Sequence, residues 1–314
     1  MPQCLGHRYA SPLRYPGGKA RLAPSLLELL ALNNLIGAEY VEPFAGGAGA
    51  ALRLLLAGAV ERIVLNDADR CVFAFWDSIL NQTRRFLTRL KRSPLSLREW
   101  QRQRSIFRSR DEQTDFDLGF ATFYLNRTNR SGILRNGSVI GGLAQGGEWG
   151  IGSRFNKDDL VSRIQTIAAQ RARIEIHNMD ALLFLRSYVR GNAGVKCLVY
   201  LDPPYFAKGS ELYLNYYTKS DHERLARFLG RLQGVRWMMT YDNIDAVRQL
   251  YGGMTLVPFT LNYSLQHCRR GNELLIAPAQ TLLSGRWTRH RHRATKTTPA
   301  TARTQHGVLT EACR

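Results

Sequence analysis

Residues 202–205 read Asp-Pro-Pro-Tyr and follow the apolar run Cys197-Leu198-Val199-Tyr200-Leu201. The run reads as a buried strand. Two consecutive prolines can continue neither a sheet ladder nor a helix, so the chain must leave the strand extended. Asp202 then stands at the carboxyl end of a central strand, where open α/β sheets place their ligands. A carboxylate, proline carbonyls without competing amide donors and a flat ring together suit a flat substrate carrying an amine, above all a nucleobase. A plain strand-exit turn has the same composition, so the tetrapeptide draws its meaning from the other motifs.

A glycine turn supplies the second group. Glu39-Tyr40-Val41-Glu42-Pro43-Phe44 reads as strand and leads into Ala45-Gly46-Gly47-Ala48-Gly49, then an apolar helix from Ala50 to Ala57. Glu61-Arg62-Ile63-Val64-Leu65-Asn66-Asp67 follows as a second strand ending in an acid. Strand, glycine turn, helix, strand and acid make a mononucleotide-binding unit. Glycine lets the backbone approach a ligand closely and point amides at it. The full dinucleotide spacing is missing, so the ligand need not be a phosphate. Asp67 is placed to accept hydrogen bonds from ribose hydroxyls, and Asp180, closing the third strand, to take an adenine amine. A lone glycine turn would be only a turn; acids closing two successive strands point to a nucleoside-bearing cofactor.

The elements that position these residues alternate as strand and helix, with one interruption. From about Phe75 to Arg163 basic helices appear, then a glycine-rich, hairpin-like stretch from Gly132 to Gly152. Strands resume with Arg173–His177, continue through Val199 and Trp237–Tyr241, and close with Glu273–Ile276. A helix is expected over Asp221–Leu232, with Asp221 as its N-cap. The pattern predicts a doubly wound sheet with an insertion of about 90 residues after the second strand. The expected organisation is a discontinuous catalytic domain (1–75 and 164–285), an insertion (76–163) and a basic, disordered tail (286–314).

Charge is the second strong clue. The 314 residues carry 44 Lys and Arg against 25 Asp and Glu, a formal net charge of +19, which implies an anionic partner. Residues 84–110 hold ten basic side chains against Glu99 alone, which favours contact with a phosphate backbone. The tail from Thr281 holds seven basic residues and one acid, read as a solvated segment. Five scattered cysteines without a Cys-x-x-Cys pair argue against a zinc site or disulfide scaffold and fit a reducing cytoplasm. No apolar run is long enough to span a membrane, and no signal peptide is legible. His177 and His222 have no partner cluster, so packing or solvent is expected for both, and no metal.

The stretch Leu13-Arg14-Tyr15-Pro16-Gly17-Gly18-Lys19 is a turn by composition. Lys19 brings a positive charge near the glycine loop, suited to a cofactor carboxylate; taken alone, it would be a solvated lysine on a surface turn. The order Tyr-Pro-Gly-Gly-Lys, Glu-Pro-Phe-Ala-Gly-Gly-Ala-Gly and Asp-Pro-Pro-Tyr resembles the Dam-type DNA adenine methyltransferases, which use S-adenosylmethionine. Tyr124-Leu125-Asn126-Arg127-Thr128 through Gly132 and Arg135, and Arg154-Phe155-Asn156-Lys157, resemble that family as well. The resemblance spans roughly residues 11–280.

It implies an α/β, class I S-adenosylmethionine-dependent methyltransferase fold, a Rossmann-like doubly wound sheet with an inserted, mainly helical target-recognition domain. By position, Tyr15 and Lys19 would hold the amino-acid end of S-adenosylmethionine. Phe44, Ala45, Gly46, Gly47 and Gly49 would pack on it, with Asp67 at its ribose and Asp180 at its adenine. Asp202, Pro203, Pro204 and Tyr205 would form the target-base pocket. The expected substrate is double-stranded DNA, methylated at the adenine 6-amino group after base flipping, with a cognate restriction endonuclease as a candidate partner. Arg127, Arg130, Arg135, Asn136 and Arg154 are the candidate DNA contacts. Arg130, Arg135, Asn136, Gln145 and Arg154 carry side chains that read base edges in the major groove. The Asn126-Arg127-Thr128 triplet also reads as a structural bridge from insertion to core. Rival readings are an RNA adenine or protein glutamine methyltransferase, whose acceptor nitrogen also needs its lone pair freed, and a non-catalytic DNA-binding relative.

Overall fold

The structure, a computed structural model, describes residues 10–14, 19–192, 194–206, 217–264 and 268–288. Its centre is one seven-stranded sheet: β1 (Glu39–Glu42), β2 (Arg62–Asn66), β3 (Ile174–His177), β4 (Cys197–Leu201), β5 (Arg236–Asp242), β6 (Thr255–Ser264) and β7 (Cys268–Ala277). The spatial order is β3-β2-β1-β4-β5-β7-β6. The first five strands run parallel, whereas β7 pairs antiparallel with β5 and β6 pairs antiparallel with β7. Every residue of β1 and β4 is buried, as strands covered on both faces must be; β4 is continuously apolar, whereas β1 buries Glu39 and Glu42. The order reverses direction between β1 and β4, so their carboxyl ends open a crevice into which the following loops project.

Helices α1 (Ala23–Leu32), α2 (Gly49–Leu56) and α3 (Arg70–Asn81) lie in the first half of the chain. Between β2 and β3 the insertion adds α4 (Thr83–Arg92), α5 (Leu97–Arg108), α6 (Asp115–Thr128) and α7 (Lys157–Ala168). Its apolar residues, including Phe86, Phe120, Phe123 and Leu160, form one continuous cluster with Tyr40 of β1 and with Leu26 of α1 and Leu52 of α2. The insertion is therefore welded to one face of the sheet. Helix α6 crosses α3 closely enough that a Cβ on Gly119 would meet the Ala74 carbonyl oxygen at 2.3 Å, so only glycine fits there. The expected boundary at 75 falls inside α3. The opposite sheet face carries α8 (Ala181–Gly191), α9 (Lys219–Arg231) and α10 (Asp245–Leu250) over a second cluster that includes Leu185, Leu225, Trp237 and Val247.

Three expectations are corrected. Helix α9 starts two residues early: Thr218 is its N-cap and Asp221 its N3 residue, the two exchanging hydrogen bonds in a capping box. Trp287, assigned to the tail, is buried in the body, with its ring 5.1 Å from that of Phe259. The glycine-rich stretch is a succession of turns rather than a ladder, pinned by an isolated bridge between Asn129 and Val139. The tail from 289 on lies outside the described residues.

Candidate active site

The Asp-Pro-Pro-Tyr turn leaves β4 extended, with Pro203 and Pro204 buried and Asp202 and Tyr205 half-buried at the crevice. Lys19 opens a 3-10 turn (Lys19–Leu22) packed on α2, and its side chain is buried beneath Asp202. The Lys19 Nζ lies 3.1 Å from Asp202 Oδ1 and 3.7 Å from Glu273 Oε2. It also donates to the Tyr205 hydroxyl over 3.4 Å, and that hydroxyl donates to Glu273 Oε1 over 3.2 Å. Thr240 of β5 donates from Oγ1 to the same Asp202 Oδ1 over 3.3 Å, and Tyr200 is hydrogen-bonded to Thr240 at 2.7 Å. Both donors thus converge on Oδ1.

Burial pushes the Asp202 carboxyl up to about 6; Lys19 holds it down and Glu273 pushes it up. Burial alone would lower the Lys19 ammonium, yet Asp202 and Glu273 hold it well above its ordinary value. It therefore stays charged, as a buried cation between two carboxylates must. Beneath the crevice, Glu42 is buried and accepts from the Ala51 amide over 3.2 Å. Burial pushes its carboxyl up to about 8, so it is mostly neutral at pH 7. Titratable groups displaced toward neutrality, sharing one crevice, are a signature of functional sites.

A second group of candidate residues stands at the ends of β1, β2 and β3. The Gly46 amide donates to Asp67 Oδ2 over 2.8 Å, and the Asp69 amide to Asp67 Oδ1 over 2.9 Å. Burial, reinforced by the neighbouring Asp69, pushes Asp67 up to about 7 despite those amides. Ala48 starts α2 in the left-handed conformation (φ 46°, ψ 33°), a strain of about 1–2 kcal/mol for a non-glycine residue held at the glycine turn. Ala45, Gly46 and Gly47 are buried and Gly49 half-buried; a Cβ on Gly49 would touch that of Ala20 at 3.0 Å, which seats the Lys19 turn on α2. Asp180 caps α8, its Oδ1 accepting from the Leu182 and Leu183 amides at 3.0 Å each, and it is exposed. The Phe44 ring meets that of Tyr217 edge-on at 5.6 Å, and burial together with nearby Asp180 raises the Tyr217 hydroxyl above its ordinary range. Phe44, Tyr217 and Asp180 therefore lie together, with Asp67 at the neighbouring end of β2.

Sequence reasoning missed several residues here. Asn66, fully buried, donates to the Pro43 and Met179 carbonyls at 3.0 Å each and accepts from the Met179 amide at 3.0 Å. It ties the ends of three strands, and a buried asparagine ending a strand just before an acid was the available signal. Glu273 was read only as the start of a strand; Thr240 and Tyr217 carried no signal. Tyr15 lies outside the described residues.

The candidate DNA contacts divide. Arg130, Arg135, Asn136 and Arg154 are exposed on the insertion. Arg127 is not at an open contact: it is 8 % exposed, donates to the Pro12 carbonyl over 3.5 Å, and burial with nearby Arg14 and Arg163 lowers its guanidinium to about 9. Its neighbour Asn126 pairs with both backbone polar groups of Arg14 (2.7 and 3.0 Å) and with the Gly132 carbonyl (3.0 Å), so the triplet does bridge the insertion to the amino-terminal segment. Gln145 faces inward, donating to the Ile140 and Gly142 carbonyls and accepting from the Ile151 amide. It braces the loop and is unavailable for a base edge. Among the described residues no group of three or more metal-ligating side chains occurs, and no helix is long and apolar enough to cross a membrane. His222 is buried against Tyr241 and lowered to about 4 by burial, while His177 pairs with Glu175.

A mixed seven-stranded sheet in this order, with helices on both faces, defines a class I methyltransferase fold. Residues 15–264 match the D12 class N6 adenine-specific DNA methyltransferases. The chain belongs to that family and is an adenine-specific DNA methyltransferase, which implies S-adenosylmethionine as methyl donor. No curated protein matches it. Among solved structures it is similar to a candidate RNA methyltransferase from Pyrococcus horikoshii, with 10 % identity and a TM-score of 0.37, covering 81 % of each chain. It is also similar to a candidate tRNA (m1A22) methyltransferase from Streptococcus pneumoniae, with 11 % identity and a TM-score of 0.34, covering 88 % of this chain and 79 % of that one.

Proposed function

We propose that this chain methylates adenine within a specific duplex sequence, gripping the extruded base between Asp202 Oδ2 and the Pro203 carbonyl. The exocyclic nitrogen of adenine is a poor nucleophile because its lone pair is delocalised into the ring. Two acceptors on its hydrogens pull the nitrogen toward tetrahedral geometry, localise the lone pair and stabilise the positive charge that develops. The observation that carries this reading is the convergence of Lys19 and Thr240 on Oδ1, which leaves Oδ2 oriented without cost at the moment of reaction. Tyr205, anchored through its hydroxyl to Glu273 and Lys19, offers a ring on which the base stacks. Because the target atom is out of reach inside a duplex, the adenine must flip.

Bound S-adenosylmethionine supplies an electrophilic methyl group carried on sulfonium. Asp67, which retains acceptor capacity, would take the ribose hydroxyls, Asp180, whose Oδ1 alone is used by the helix amides, would take the adenine amine, and Phe44 and Tyr217 would flank the ring. Tyr15 is proposed at its amino-acid end, whereas Lys19 serves Asp202. The insertion is the target-recognition domain, with Arg130, Arg135, Asn136 and Arg154 toward DNA and the basic α4–α5 block toward its phosphates. Expressing the protein in a host without adenine methylation and mapping 6-methyladenine tests this: methylation confined to one short sequence is expected. Scattered methylation, or label entering RNA or protein instead, overturns it.

A further inference from the structure

Glu273 is the one acid in β7, and it is only 3 % exposed. Side chains alternate between the faces of a sheet, so Glu273 and Leu275 share a face with their β5 partners Asp242 and Thr240. Tyr200 and Asp202 stand on that face too, joined to each other through the Thr240 hydroxyl. Leu274, Leu275 and Ile276 follow, all fully buried. A carboxylate beside them is costly to desolvate, and a buried ion pair adds little net stability over apolar packing. Fold stability therefore gives no reason for an acid at this position.

The site does. The Lys19 Nζ lies 3.1 Å from Asp202 Oδ1 and 3.7 Å from Glu273 Oε2, so two carboxylates draw on one buried ammonium. Tyr205 closes the ring, its hydroxyl accepting from Lys19 over 3.4 Å and donating to Glu273 over 3.2 Å. Glu273 thus reaches both ends of the Asp-Pro-Pro-Tyr turn, Tyr205 directly and Asp202 through Lys19. The other titratable groups around Asp202 are Tyr40 and Glu42 of β1 and Tyr200 of β4, with Asp242 across from Glu273 on β5. Burial holds both tyrosines well above their ordinary range and leaves Glu42 mostly neutral. The charges that bear on Asp202 are chiefly those of Lys19 and Glu273.

We propose that Glu273 is a positioning residue for methyl transfer, holding Tyr205 where the base stacks and sharing the Lys19 ammonium so that Asp202 remains a strong acceptor for the adenine amine. With the ammonium on Asp202 alone, the carboxylate would accept more weakly and offset less of the charge developing on the amine nitrogen. The proposal rests on the reading of Asp202 as the group that grips that amine.

Glu273→Gln keeps an acceptor for the Tyr205 hydroxyl and removes the charge, whereas Glu273→Asp keeps the charge. Single-turnover methylation of the mapped duplex is measured from pH 4 to 9 for both and for the wild type. Activity is present above the Asp202 pKa and lost as pH falls through it. Glu273 pushes that carboxyl up, so the acid limb of the Gln variant should lie about one pH unit below the wild-type limb near 6. Its plateau rate should be about tenfold lower, a fraction of the loss from removing a whole charge-stabilising contact. Calorimetric affinity for S-adenosylmethionine should be unchanged, and the Asp variant should keep its limb near 6. Tyr205→Phe, which removes the hydroxyl that Glu273 holds and leaves both acids, should lower the plateau without moving the limb; it reads the positioning even if the Glu273 variants fail to fold. A Gln variant whose limb stays at the wild-type position or moves up overturns the proposal, because a merely structural role lowers the rate equally at every pH. So does an Asp variant whose limb moves with that of the Gln variant, or a Tyr205→Phe variant as fast as wild type. Near wild-type methylation by Asp202→Ala would instead remove the reading of Asp202, and this proposal with it.

Discussion

Replacing Lys19 with Gln removes the buried cation while keeping a hydrogen-bond donor of similar reach. At the 3.1 Å separation from Asp202 Oδ1, two unit charges attract by about 5 kcal/mol at an effective dielectric of about 20. The Asp202 side chain is 27 % exposed, and Glu273 shares the same ammonium, so we discount this to about 2–3 kcal/mol. One pH unit corresponds to about 1.4 kcal/mol, so the Asp202 carboxyl should move up by about two pH units, from about 6 to near 8. Only ionised Asp202 accepts from the adenine amine with both lone-pair-bearing oxygens free of a proton. Activity is therefore present above its pKa and lost as pH falls through it. The wild-type profile of kcat/KM for DNA should fall below about pH 6, and that of Lys19→Gln below about pH 8, with recovery toward pH 9. Radiolabelled methyl transfer measured from pH 5 to 9 reads both limbs, and circular dichroism controls for folding. The reasoning is refuted if the acid limb of the variant stays near 6 while KM for S-adenosylmethionine rises, which is what a donor-carboxylate role for Lys19 requires.

Other perturbations probe the remaining parts. Glu42 holds a proton in the folded state up to about pH 8 that the unfolded chain releases near 4.5, so wild-type stability should decline as pH rises between those values, by at most about 5 kcal/mol. Glu42→Gln keeps the neutral acceptor for the Ala51 amide and should abolish that decline, as urea melts from pH 5 to 8 will read. Arg127 is a buried cation among other arginines, so Arg127→Met should leave the salt dependence of DNA binding unchanged. Arg154→Ala, in contrast, should reduce the slope of log K against log salt by about 1, as loss of one phosphate contact does.

Legibility in the sequence followed the distance over which the information acts. The glycine turn, its two flanking strands and the proline-broken exit of β4 are local statements, and each stands where spacing and backbone chemistry put it. The Lys19–Asp202–Glu273 cluster was not legible, because it depends on β7 entering the sheet next to β5, a pairing that periodicity cannot express. Edge strand β6 contains Pro258, which weakens a strand signal that an edge position tolerates. Thr218 and Asp221 are both residue types that cap helices, and residue type alone does not say which of the two is the N-cap. Arg127 and Gln145 show the commonest failure: side-chain chemistry suited to DNA says nothing about whether the side chain faces out.

The account turns on Asp202 as the group that activates the amine without holding the donor. Asp202→Ala, assayed for methyl transfer to the mapped duplex and, by calorimetry, for S-adenosylmethionine binding, separates the two roles. Transfer should fall by at least about a thousandfold, beyond the scale of one preorganised charge-stabilising contact alone, with donor affinity within a few-fold of wild type. Near wild-type methylation by this variant, or loss of donor binding in step with activity, would contradict it.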